Sequence, residues 1–459
     1  MTQPRARSDQ PDSGPQPQAA DVLRKILRSP GYLKALAFCA LVGIPVSLAS
    51  FWLLVTLREL QHTLWEDLPQ AAGWDTAPWW WPLPLLLVAG VGVGLVVTHL
   101  PGGGGHIPAA GMQMGGSSSA ALPGVLLAAL LALPFGAVLG PEAPLIALGG
   151  GLALVFRDLA QMPATPQSTA LLGAAGAAAA VSAIFGNPLV AAVLLIEVAG
   201  VGGPQLFAVM LPALLSSGIG SLVFTGLGRW TGLSAGDLTL NLTGPIPRLD
   251  AADVLWALVI AVALALFLHP VQAGARLLAS YVAGRPLVRT VQGALGAAVC
   301  AALYALATGR SPAEVASSGQ ATIGELASDP HSWSVGALIA VLLFKGIGYG
   351  LCLGSLRGGP IFPALFLGAA AGVLLAPLPG FGVVPGMAAG MAAAAAATLR
   401  LPVSSVVLVV LLLGSAAMMP VAILAAVVAF VVTGLLPARP IKPEAAAEPA
   451  AAGPPAPAP

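Results

Sequence analysis

Gly140-Pro-Glu-Ala-Pro-Leu-Ile-Ala-Leu-Gly149 and Gly359-Pro-Ile-Phe-Pro-Ala-Leu-Phe-Leu-Gly368 share the pattern GPxxPxxxLG. The copies lie 359 − 140 = 219 residues apart. A second pair follows in the same order: the Ala-rich run Gly176 to Pro188 matches Gly390 to Pro402 at 390 − 176 = 214 residues. Two elements recurring in order at nearly one spacing predict two related halves that differ by a short loop insertion or deletion. Around these elements lies an unusually apolar chain, 57% hydrophobic and 8% charged over 459 residues. A soluble domain carries about 25% Asp, Glu, Lys and Arg. So few charges cannot cover a water-facing surface, and most of this surface must face lipid. The net charge of +1 gives no basic footprint for nucleic acid.

The spans follow from hydropathy. Runs at 33–57, 85–100, 203–226, 252–280, 283–307 and 333–355 can cross about 30 Å of hydrocarbon. Others are divided by Gly and Pro into shorter pieces, at 107–122, 123–139, 142–156, 169–185, 188–199, 361–376, 384–398 and 402–416. Loose backbone ends inside a membrane are tolerated only against protein or a cavity, and in transporters such breaks mark a site near the midplane. The reading is an all-α integral membrane protein, an inverted repeat with many broken and re-entrant helices. Its transmembrane domain covers 21–436, with halves at about 33–226 and 251–436. Residues 1–20, rich in Pro, Gln, Ser and Asp, are expected to be disordered, as is the Pro/Ala-rich tail 437–459. Neither a cleavable signal nor a folded regulatory domain is expected. The basic stretch Asp21–Ala35 before the first span, with Arg439 and Lys442 after the last, puts both termini in the cytoplasm. Trp79, Trp80 and Trp81 fit an interfacial belt. Cys39, Cys300 and Cys352 lie singly in apolar runs, which predicts buried thiols and neither a disulfide nor a metal site.

The chemistry concentrates at the repeat. Proline suits the first position of a helix, so Gly140-Pro141 and Gly359-Pro360 read as helix starts, with Pro144 and Pro363 in the first turns. Helix starts carry unpaired N–H groups and the positive end of the helix dipole, and they attract anions. Inverted halves aim two such ends at one point. A third break, Gly102-Gly-Gly-Gly-His-Ile-Pro108, adds another. This arrangement suits an anion without a fixed positive side chain. Glu142 stands inside the first start, where a carboxylate costs several kcal/mol unless paired or protonated. The matching residue is Ile361, so one half alone carries the acid, as a gate would. Glu197 has two readings, a proton relay or an interfacial helix-end carboxylate. Lys345 and Arg400 read as packing residues, His99 and His269 as structural, and His106 stays open. No HExxH, facing acid pair or Ser–His pairing suggests an enzyme, and no cofactor is called for.

With these residues in view, the chain resembles the CLC chloride channel and transporter family over roughly residues 33–436. Gly140–Pro144 is similar to that family's GREGP signature, Gly358–Pro363 to its GGIFAP element, and Gly104–Pro108 to its GSGIP element. The resemblance implies an inverted-repeat fold, a homodimer with one pore per subunit, and Cl⁻ movement gated by Glu142. It implies anion contacts at Gly105, His106, Glu142, Ala143, Ile361 and Phe362. There are departures. Gly105 replaces the pore serine, His106 replaces a glycine, and Pro360 falls where an amide donor is expected. No tyrosine follows Tyr349, and Val198 stands where proton-coupled members carry a glutamate. Ligand choice, chloride against fluoride or another small anion, therefore stays open. So does channel against proton-coupled antiporter, and a non-transporting scaffold is the alternative outside transport.

Overall fold

Backbone groups in lipid must find partners within their own segment, which favours helices. The computed structural model describes residues 24–25, 27–111, 118–199, 204–233, 240 and 248–437. The expected disordered N-terminus, all but the first residue of the tail, Arg439, Lys442 and part of the 107–122 run lie outside the described residues. In chain order the helices are α1 (Pro30–His62), α2 (Pro82–His99), α3 (Leu122–Ala132), α4 (Glu142–Leu159), α5 (Pro166–Phe185), α6 (Pro188–Ala199), α7 (Pro204–Thr231) and α8 (Ala251–Ala283). Then come α9 (Pro286–Thr308), α10 (Gln320–Ser328), α11 (Val335–Ser355), α12 (Ile361–Leu375), α13 (Val383–Leu399), α14 (Pro402–Leu413) and α15 (Met419–Leu435). Many open with proline at the first turn, where its missing N–H is harmless. Among the described residues, eight helical stretches are long and apolar enough to cross a membrane, and five apolar helices are shorter. Their outer faces expose Leu222, Leu255 and Leu306, as lipid-facing helices do.

The repeat is visible in the packing. α4 lies on α5 and α12 lies on α13; α6 and α7 then pack on α5 as α14 and α15 pack on α13. The crossings use the repeated glycines. A Cβ on Gly149 would come within 2.3 Å of the Gly176 carbonyl oxygen, and one on Gly368 within 2.3 Å of the Gly390 oxygen. The same close approach thus occurs twice, at the positions the two sequence offsets relate. Trp74, Trp80 and Trp81 form an edge-packed cluster before α2. The three cysteines are buried and unpaired.

Two expectations are corrected. Pro141 and Pro360 are N-caps, with helical residues beginning at Glu142 and Ile361, so each start falls one residue later than the proline rule predicts. Both prolines sit half inside the helix, at ψ of 0° and −8°. The 169–185 run is no fragment, since α5 is a continuous 20-residue helix. Gly176 within it serves close packing and does not break it. The outward-facing bulk of apolar surface and the eight spans make this a multi-pass membrane protein.

Candidate functional site

The two GP elements meet. Gly140 N–H donates to the Gly359 carbonyl at 2.8 Å, and Gly359 N–H donates to the Gly140 carbonyl at 2.6 Å. This antiparallel bridge joins residues that are equivalent in the repeat, so a local two-fold relation passes between the halves at this point. α4 and α12 start on either side of it. Neither start has a side-chain cap, which leaves first-turn N–H groups free for an anion.

Glu142 fills that opening. It is 1% exposed, and its Oε1 accepts from Phe362 N–H at 2.9 Å. The Ile361 amide and its own amide are also turned toward the carboxylate. Its Oε2 is buried with no hydrogen-bond partner. The carboxylate lies directly over the bridge: a Cβ on Gly359 would stand 1.7 Å from Oε2, and one on Gly140 2.2 Å away. Only glycine fits under the acid. The Phe362 ring packs beside Phe185, with centroids 5.8 Å apart, and Tyr349 Oη donates to the Pro360 carbonyl at 2.7 Å.

The Gly-rich break approaches from another side. Pro101–Gly104 forms a tight turn with Gly102, Gly103, Gly104 and Gly105 all at positive φ, a conformation that glycine adopts without strain. Arg357, the residue before Gly358-Gly359, reaches this turn, and its Nε donates to the Gly103 carbonyl at 3.2 Å. Arg357 is buried and forms no ion pair with another described residue. A guanidinium without a counter-ion in an apolar region is costly, and this one adds a fixed positive charge on the Gly-rich turn that the helix starts do not require.

The structure therefore brings Gly140, Pro141, Glu142, Gly359, Pro360, Ile361 and Phe362 together, with Ala143 and the prolines Pro144 and Pro363 in the adjoining turns. His106 hydrogen-bonds the Gly111 carbonyl within its own loop. Gly105 packs toward Val125. Glu197 is held elsewhere: its carboxylate accepts from Val403 N–H at 3.0 Å, Ser404 N–H at 2.7 Å and Ser404 Oγ at 2.6 Å, at the start of α14. Lys345 is fully buried and donates to the carbonyls of Glu314, Val315, Ala316 and Ser317 at 3.0–3.3 Å; it binds backbone in place of an acid. Sequence reading passed over Arg357 and the placement of Tyr349. The only sequence signal for Arg357 is a charge set directly before a Gly-Gly pair.

The model of the family described as voltage gated chloride channel matches residues 90–434. The chain belongs to the voltage-gated chloride channel family. Among its relatives is "Putative ion-transport protein YfeO" of Salmonella newport (strain SL254), 28% identical over 343 residues, covering 73% of this chain and 78% of that protein. The Salmonella choleraesuis (strain SC-B67) protein of the same name is 29% identical over the same length. The fold is shared with a slow cyanobacterial Cl⁻/H⁺ antiporter at TM-score 0.74 and 18% identity, covering 89% of this chain and 96% of that one. It is also shared with a CLC-type fluoride/proton antiporter at TM-score 0.68 and 20% identity, covering 88% and 96%. Membership in this family makes the chain an anion-transport protein, and the two-half repeat read from the GP elements belongs to the fold that it shares with these structures.

Proposed function

We propose that the chain carries a small inorganic anion, chloride in the first instance, past the paired helix starts, with Glu142 as the gate. The observation that carries this reading is the half-satisfied carboxylate, with one oxygen on the Phe362 amide and the other buried without a partner. An ionised Glu142 occupies the positive end of α12 as a tethered anion would. Protonation removes its charge, and a competing anion displaces it; in either case the side chain swings away and the amides become free. Flux should then rise as pH falls. Chloride flux from liposomes, run with a panel of anions while pH is recorded on both sides, tests the reading. A pH-independent flux in Glu142→Gln and Glu142→Ala, equal to or above that of the parent, is expected. Absence of flux for every anion from folded protein would overturn it, as would pH gating that survives in both variants.

A second reading is proton-coupled exchange, supported by the antiporter descriptions of two proteins that share the fold. Proton movement driven by a chloride gradient separates exchange from a passive pathway. The reading includes a homodimer in the cell membrane, both termini in the cytoplasm, and a transmembrane domain spanning 21–436. Subunit counting by single-molecule photobleaching and protease access to terminal tags test these points. No cofactor enters the cycle.

A further inference from the structure

Two membrane spans begin beside one groove, α1 at Pro30 and α5 at Pro166. The groove is open and has a volume of about 620 Å³. Sites that receive a small molecule occupy about 300–1,000 Å³, whereas a single water needs only ~10–15 Å³. The space therefore suits a molecule and not a lone ion. Its lining is of two kinds. Lys25 and Ser29 precede the first turn of α1, and Thr165 and Gln167 flank the start of α5. Tyr32, Ala35, Leu171 and Leu172 lie further along the same two helices, within their first two turns. The polar lining is thus at the level where the spans begin, and the apolar lining is at hydrocarbon depth. Beneath it Leu172 continues into a small apolar cluster with Cys39, Leu154 and Ala175.

The charge at the polar level has one sign. Lys25 is exposed and forms no ion pair with another described residue, and no Asp or Glu lines the groove. Asp158, the acid at the end of α4 before this corner, is already taken by Arg157 at 2.6 Å. Arg24, Arg28 and Lys34 add positive charge on either side of Pro30. Both helices also present the positive ends of their dipoles here. Their first-turn amides are served from within: Ser29 Oγ accepts from Tyr32 N–H at 3.3 Å, and Thr165 Oγ1 from Ser168 N–H at 3.1 Å. Attraction for an anion at this groove accordingly comes from Lys25 and the field, and not from bare backbone. A soluble anion would leave the apolar lining unused, and a neutral lipid would leave the charge unused. An amphiphile with an anionic head and a hydrocarbon chain uses both, at the depth where headgroups lie.

We propose that this groove holds one anionic phospholipid of the leaflet in which α1 and α5 begin. Its phosphate lies beside Lys25, and one acyl chain runs along Tyr32, Ala35, Leu171 and Leu172. The site is separate from the paired helix starts and independent of which anion the chain carries. The lipid bridges the start of α1 and the corner between α4 and α5, where Met162 and Thr165 form part of the wall. It thereby seats the far end of the helix that begins with Glu142.

Native mass spectrometry of the full chain tests it, with the protein released from nanodiscs of equimolar phosphatidylcholine and phosphatidylglycerol. Retention of one phosphatidylglycerol per chain is expected, in preference to phosphatidylcholine. Lys25→Gln should weaken that retention about fivefold, the worth of one positive charge near a lipid surface. Lys34→Gln removes an exposed charge that does not line the groove and should leave retention unchanged. Leu171→Trp, which fills the apolar part, should lower retention while a thermal melt shows the protein folded. Equal losses in Lys25→Gln and Lys34→Gln would reduce the effect to the general pull of a basic segment on an anionic surface and would overturn the site. Equal retention of the two lipids by the parent would also overturn it. Saturable binding of glycerol phosphate to the chain in pure phosphatidylcholine nanodiscs, read by calorimetry, would assign a soluble phosphate in place of the lipid and overturn it as well.

Discussion

Glu142 and Glu197 both begin in the first half of the chain and both end on a helix start in the second, yet they are held in different ways. Glu197 has both oxygens engaged by two amides and a hydroxyl at the start of α14. Glu142 has one oxygen on the Phe362 amide and the other buried without a partner. The reason for the Glu197 contact is visible in the repeat. In the first half, Asn187 accepts from Leu189 N–H at 2.8 Å and so serves the start of α6 locally. Its counterpart before α14 is Leu401, which has no polar atom to offer, and Glu197 fills that role from across the interface between halves. A fully satisfied carboxylate is a staple. A carboxylate with one oxygen left unpartnered over a glycine bridge is held less completely, which is what the proposed gate asks of Glu142.

Four substitutions break or sharpen this contrast. The largest effect is expected from Glu142→Gln. If the parent opens only when this acid is protonated, flux falls by up to tenfold per unit as pH rises above its titration point, since the protonated fraction falls by that factor; the variant should show a flat profile from pH 5 to pH 8. Next is Gly359→Ala. The new methyl would overlap Oε2 and drive the carboxylate off the Phe362 amide. Liposome assays should show a shallower pH profile, approaching that of Glu142→Gln, with halide binding maintained or strengthened because the tethered competitor has left the Phe362 amide. Glu197→Ala should act on stability instead, by about 1–2 kcal/mol through the unfilled start of α14, lowering the thermal midpoint in detergent with the pH profile unchanged. A changed pH profile in that variant would make Glu197 part of the proton path and end the distinction. The smallest effect belongs to Asn187→Ala, a loss of about 1 kcal/mol at a helix start, read by the same melt with flux unaltered.

Features that depend on neighbouring residues could be read in the sequence. The GP elements gave both helix starts, their mutual approach and the single acid between them, because glycine, proline and a lone carboxylate in an apolar run have local physical meaning. The helix starts were one residue off, since proline at the N-cap is half helical and sequence does not separate that position from the next. The 169–185 run read as a short piece, whereas it belongs to a 20-residue helix whose Gly176 lets another backbone come close. Contacts between distant residues were the part that could not be read. The amides that hold Glu197 are about two hundred residues away in sequence. The Gly103 carbonyl that receives Arg357 lies 254 residues away in sequence. His106 shows the reverse case, a side chain that invited a role at the site and is taken by a carbonyl five residues on.

The paired hydrogen bonds between Gly140 and Gly359 carry a mechanical consequence. They tie the leading ends of α4 and α12 to one another, so the two halves cannot rock apart at the point where the ion passes without tearing both bonds in a place that offers no water to replace them. Separation of the repeats at this centre would carry the cost of both bonds. In the proposed cycle the moving part is then a single side chain, and turnover would be set by how fast a buried glutamate changes rotamer between rigid walls.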